Sequence, residues 1–214
     1  FNKKLAEKEK HLSYELVILP TGKMSSREGK VILYDDTLNE MINYAKKEIK
    51  SKWDKINEKE LDKRAKKIAM AAIKYSMLSQ DMKKTIVFEQ EKSISFEGDT
   101  GPYLLYSYVR ANSILKKTKK RFKKSVKELT EKEFLLIKKI SDFDDILIKA
   151  AENTAPSLMA KYLFDLSQLF NEFYHSSQVI SSEREEFLVG LVSAFKKTLS
   201  KGLDLLGIEV IEKM

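Results

Sequence analysis

After Pro156 the residues Met159, Tyr162, Leu163, Leu166, Leu169, Phe170 and Phe173 recur three and four apart, which marks a long helix with one apolar face. A similar stripe, Phe187, Leu188, Leu191, Phe195, Leu199 and Leu203, follows on a helix predicted from about Ser182 to Leu206, with Gly207 as its stop. These stripes are core, and they call for other helices to cover them. The rest of the chain supplies such helices. Leu38, Met41, Ile42, Ala45 and Ile49 predict one that runs to about Trp53, with Asp35, Asp36 and Thr37 offering capping oxygens. Leu61, Ala65, Ile68, Ala69, Ala72, Ile73 and Met77 predict another over 58–78, capped by Asn57 and lysine-rich on its outer side. Thr130 with Glu133 reads as a capping box opening a helix through Ile140, and Ser141 and Asp142 start a further one to about Asn153. The expected fold is mainly α, a helical bundle.

Composition agrees with a folded, helix-rich protein: 43% hydrophobic residues, three prolines and seven glycines in 214 residues. The absence of cysteine removes a disulfide framework and points to a cytoplasmic chain, and with only His11 and His175 no metal site is expected. No apolar run approaches the roughly 20 residues needed to cross a bilayer, so no membrane partner is expected. The formal charge of +8 fits an anionic partner such as RNA, or equally a lysine-rich solvated surface. The run of lysines and Arg121 over 116–124 reads as a solvated helix end with at most a general electrostatic role.

Two stretches carry chemistry. Residues 22–30 form a glycine-bracketed turn holding Lys23, Met24, Ser25, Ser26, Arg27 and Lys30, between probable strands over 14–20 and 31–34. Cations, hydroxyls and flexible glycines suit a mobile phosphate clamp, although the same spacing also suits a basic surface hairpin. It is not a Walker loop, since Val17 occupies the position of the first glycine and Met24 that of the hydroxyl residue. Farther on, Thr100 reads as an N-cap and Pro102 sits in the first turn of a helix, after an extended segment at 84–88 and a boundary expected over 94–99. Tyr103, Tyr106 and Arg110 fall on one face of this helix. That face could stack unpaired bases and hold a phosphate, or pack half-buried with Arg110 paired to a carboxylate. His175 reads as an exposed or hydrogen-bonded histidine, because no nucleophile or orienting carboxylate accompanies it.

Lys23-Met24-Ser25-Ser26 resembles the Lys-Met-Ser-Lys-Ser signature of class I aminoacyl-tRNA synthetases, and its continuation through Arg27 and Gly29 is similar to the form in arginyl-tRNA synthetases. The run over 98–103 with Tyr106 and Arg110 resembles the opening of the anticodon-binding domain of those enzymes. Residues 162–166 leading to 170–174, and the ending over 201–208 before a terminal Met214, are similar to the same family. The sequence departs from the family pattern at Ser26, where the usual second lysine is missing, at Ser157 after Pro156, and at Leu188.

The resemblance implies a C-terminal part of an arginine-tRNA ligase. Residues 1–35 would end a nucleotide-binding catalytic domain as a strand-loop-strand remnant, 36–95 would form a helical stem, and 96–214 would be the helical anticodon-binding domain. The complete enzyme would activate arginine with ATP and Mg²⁺ and attach it to tRNA(Arg). This part would be inactive alone and monomeric, and would bind no cofactor tightly. Lys23, Met24, Ser25, Ser26, Arg27 and Lys30 would lie near the ATP phosphates, with Lys23 the electrostatic stabiliser and Arg27 or Lys30 in the place of the second lysine. Tyr103, Tyr106, Arg110, Asn171, Tyr174 and Met214 would contact tRNA. Two alternatives stand beside this: a noncatalytic RNA-binding helical module derived from a synthetase, and a cysteinyl-type relative, against which residues 100–103 and 206–208 argue.

Overall fold

The computed structural model describes residues 2–23, 33–52, 56–122 and 128–214. Among them the order is α1 (Lys3–Ala6), β1 (Val17–Ile18), α2 (Tyr34–Lys52), α3 (Glu58–Leu78), β2 (Ile86–Val87), α4 (Gln90–Ser93), α5 (Gly101–Lys117), α6 (Glu131–Ser141), α7 (Phe143–Glu152), α8 (Pro156–Ser176) and α9 (Glu185–Leu205). Helices α5, α8 and α9 pack on one another, α6 and α7 cover α8, and α3 joins α2 to α5.

The expected stripes are the buried ones. Met159, Leu163, Leu166, Phe170 and Phe173 from α8 meet Leu188, Leu191, Phe195, Leu199 and Leu203 from α9 in one core. The rings of Phe170 and Phe195 stack face to face, with centroids 3.8 Å apart and planes 4° from parallel. Glycines let two helix pairs close further. A Cβ on Gly101 would sit 2.6 Å from the carbonyl carbon of Ala71, so α5 begins directly against the backbone of α3. A Cβ on Gly202 would run into both methyls of the Leu163 side chain.

The helix ends follow from local chemistry. Asn57 accepts from the Lys59 N–H at 2.9 Å, and Thr130 and Glu133 close the expected capping box on α6. Glu133 does more than cap: it is 1% exposed and takes both terminal nitrogens of Arg184, at 3.0 and 2.8 Å, just before α9. This pins the start of α6 to the start of α9. At the other end of α9, Gly207 has φ of +66°, its N–H donates to Asp204 O, and the Ile208 N–H reaches back to Leu203 O, both at 2.8 Å. That is a Schellman stop, which turns the C-terminal tail back along the bundle.

β1 falls within the strand expected over 14–20 and pairs in parallel with β2, from the extended segment at 84–88, with Val17 opposite Ile86 and Ile18 opposite Val87. Val31 and Ile32 lie outside the described residues, and Tyr34 is already the first residue of α2. Asp35 and Asp36 therefore sit inside the first helical turn, where their charge meets the positive end of the dipole, and the Thr37 hydroxyl donates to Leu33 O instead of capping.

Candidate nucleic-acid interface

Thr100 sets the start and rotation of α5. Its Oγ1 accepts from the Tyr103 N–H at 3.2 Å and donates to Ser95 O at 2.6 Å, while the neighbouring Asp99 carboxylate accepts the Tyr75 hydroxyl. With the helix so placed, Tyr103, Tyr106 and Arg110 all turn toward α8. There they meet two further residues singled out in the sequence, Asn171 and Tyr174.

The five form one connected cluster. Arg110 donates through Nη1 to Asn171 Oδ1 and through Nη2 to the Tyr106 hydroxyl, the latter at 2.9 Å. Its guanidinium carbon lies 4.6 Å from the Tyr106 ring centre and 4.5 Å from that of Tyr174, so the cation faces both rings. Asn171 donates from Nδ2 to Tyr103 Oη and to Ser107 Oγ, each at 2.9 Å. The second option from spacing, an Arg110 paired to a carboxylate, is not what forms. Its hydrogen-bond partners among the described residues are a neutral amide and a phenol, neither of which carries a negative charge.

A cleft of about 340 Å³ opens beside the cluster, lined by Tyr106, Val109, Arg110, Lys117, Tyr174 and Val179 among others. Tyr174 is 37% exposed, so aromatic surface reaches water next to two cations. Asn171, expected on the polar edge of α8, is instead 9% exposed, because α5 lies over it. Ser107 was not singled out by sequence. Its one signal is position: one helical turn after Tyr103, it falls on the same face.

The other expected site residues are elsewhere. Lys23 is exposed, immediately after a turn in which Leu19 and Gly22 exchange backbone hydrogen bonds and Gly22 takes φ of +111°. Met24, Ser25, Ser26, Arg27 and Lys30 lie outside the described residues. Met214 packs half-buried at the margin of the core. Two residues earlier the tail docks on α5 through Glu212, which accepts from Asn112 Nδ2 at 2.9 Å and from Lys116 Nζ. Asn112 is two residues past Arg110, hence roughly 200° around the helix, so Glu212 holds a different face of α5 from the tyrosine cluster.

The tail contact is pH-sensitive. Hydrogen bonds from Lys116 and then Asn112 hold the Glu212 carboxyl below its ordinary value of about 4.5. A depressed folded pKa means the contact contributes fully above that ordinary value and is lost as pH falls through the lower folded one. Hydrogen exchange of residues 208–214 will therefore accelerate as pH is lowered below about 4.5, relative to α9, after correction for the intrinsic rate. Glu212→Gln should remove this response, and an identical response in that variant would sink the assignment.

Residues 104–214 match the DALR anticodon binding domain family, just over half of the chain. The chain belongs to that family. Taken as a whole, 95% of the chain is similar to arginine-tRNA ligases, with 37% identity over 215 residues to the protein of Bacteroides fragilis and 39% over 210 residues to that of Flavobacterium psychrophilum. It spans 36% and 35% of those two proteins, about a third of their length. The solved Thermus thermophilus arginyl-tRNA synthetase superposes with a TM-score of 0.90 at 34% identity, over 98% of this chain and 36% of that one. Four of the clustered residues, Tyr106, Arg110, Asn171 and Tyr174, fall within the DALR match, and Tyr103 stands one residue before it. No described helix is long and apolar enough to cross a membrane.

Proposed function

We propose that this DALR chain is the tRNA-binding part of an arginine-tRNA ligase, and that the α5–α8 cluster is where it meets the anticodon of tRNA(Arg). The observation that carries the reading is the cation between two tyrosines beside an open cleft, within a family named for anticodon binding. Splayed RNA bases bind by stacking on aromatic rings and guanidinium planes, and a neighbouring lysine such as Lys117 suits backbone phosphate. The similarity to whole arginine-tRNA ligases favours this origin over a noncatalytic RNA-binding module.

In the complete enzyme the arginine carboxylate attacks the α-phosphate of Mg²⁺-bound ATP, and pyrophosphate leaves. We assign Lys23, with Met24, Ser25, Ser26 and Arg27 or Lys30, to the loop that neutralises the departing charge. Residues 1–35 close the catalytic domain, 36–95 form the stem and 96–214 bind the anticodon, in a monomeric cytoplasmic protein.

Binding of the chain to arginine tRNA, and to the same tRNA with the middle anticodon base replaced, tests the reading at low and moderate salt. Base readout should cost about 1–3 kcal/mol on that replacement. Charge alone would give affinity that falls steeply with salt and is equal for both RNAs, which would overturn it. Arg110→Ala should weaken binding of the unaltered tRNA by a similar 1–3 kcal/mol, roughly.

A further inference from the structure

We infer that Ser107, a buried serine outside the set expected to touch RNA, is the positioning residue that fixes the direction of the Arg110 guanidinium through Asn171. The inference rests on the reading of the α5–α8 cluster as an RNA site. Ser107 is 0% exposed, and its hydroxyl proton is committed to Tyr103 O one turn back, at 3.0 Å. The oxygen can therefore only accept, and what it accepts is an N–H of Asn171. The second N–H of that amide goes to Tyr103 Oη. Both donors of the amide are thus taken on one side, and its carbonyl oxygen must face the other.

On that other side is Arg110, a group that can donate but never accept. A flipped amide would set N–H against N–H. The donors therefore run in one direction only, from Arg110 to Asn171 to Ser107 to the Tyr103 carbonyl. The guanidinium has five N–H groups, of which these contacts and the Tyr106 bond use two. The rest of the donor edge is left for a ligand acceptor, with the guanidinium carbon already held over both tyrosine rings. Pre-setting a long side chain in this way spares its ordering cost at the moment of binding.

Ser107→Ala in the full chain removes one of the two acceptors that fix the amide and touches no RNA. Affinity for arginine tRNA should fall roughly threefold to tenfold, the ordering cost of one side chain. The same substitution in an Arg110→Ala background should change affinity by less than about twofold, because there is no guanidinium left to position. In the RNA-free protein, exchange of the Arg110 guanidinium N–H signals in NMR should speed up in Ser107→Ala while helix content is kept. Where the alanine variant loses helicity, Ser107→Cys keeps the side-chain volume with a weaker acceptor and is read in the same way. An equal loss in both backgrounds, or unchanged guanidinium signals, overturns the positioning role and leaves Ser107 a packing residue. If Arg110→Ala itself leaves tRNA binding intact, the RNA site fails, while the NMR result still decides whether Ser107 orders the guanidinium.

Discussion

Phe170→Ala will destabilise the chain by about 3–5 kcal/mol, the range for emptying a fully buried aromatic site. Phe170 is 0% exposed and stacked at 3.8 Å on Phe195, itself 0% exposed, so its loss opens a void between α8 and α9 that neither neighbour can refill. For a chain of this size each kcal/mol lowers the melting temperature by about 2–4 °C, which puts the variant on the order of 10 °C below the parent. Thermal unfolding followed by far-UV circular dichroism reads this directly. Phe170→Leu should recover more than half of the loss. A drop of under about 1 kcal/mol for the alanine variant would mean that α8 and α9 are not held together where the structure places them.

The second large effect comes from a charge. Removing the guanidinium in Arg184→Ala strands the Glu133 carboxylate, which is 1% exposed, and breaking a buried pair from one side costs about 3–5 kcal/mol. The lower end applies here, because the Arg184 side chain is 36% exposed and water already reaches part of the cation. Among the described residues, Glu133 then keeps its bond from the Thr130 N–H. Replacing both residues, in Arg184→Leu with Glu133→Leu, should be less damaging than the single Arg184→Ala, since no charge is then left buried. Urea unfolding of the single and double variants decides it, and a double variant clearly worse than the single would refute the buried-charge explanation.

Neither effect was legible to the same degree. Phe170 and Phe195 were placed inward by periodicity alone, because a helical stripe states which face is buried without saying against what. The capping box of Thr130 and Glu133 was also readable, since both partners lie within one turn. That Glu133 would reach Arg184, fifty-one residues on, was not, because nothing local records a partner on another helix. The same reason accounts for Asn171. Next to Tyr174 and His175 it reads as a polar edge, and only the arrival of α5 buries it and gives it three bonds.

The start of the chain shows the opposite failure, a local signal that was present but outweighed. Asp35, Asp36 and Thr37 have the chemistry of caps, yet the helix begins at Tyr34, whose hydroxyl reaches the Met70 sulfur on α3. Packing against α3 thus accompanies a start one position ahead of the first capping residue. The pairing of β1 with β2 is likewise a long-range event across nearly seventy residues, and the turn between the flanking segments gave no hint of it. The aromatic and arginine spacing on α5 was informative because all its members lie within two helical turns. What it could not supply was the far wall of the site, which belongs to α8.

The contact of Gly101 with the Ala71 backbone limits which residue can stand at position 101. With no side chain between them, α3 and α5 meet along a joint that has almost nothing compressible in it. Helix α3 is 21 residues long, about 30 Å. Its seat for α5 lies at Ala71, where any side chain on residue 101 would strike the carbonyl and force the two helices apart. The glycine is therefore what lets the bundle seat directly on the helix before it.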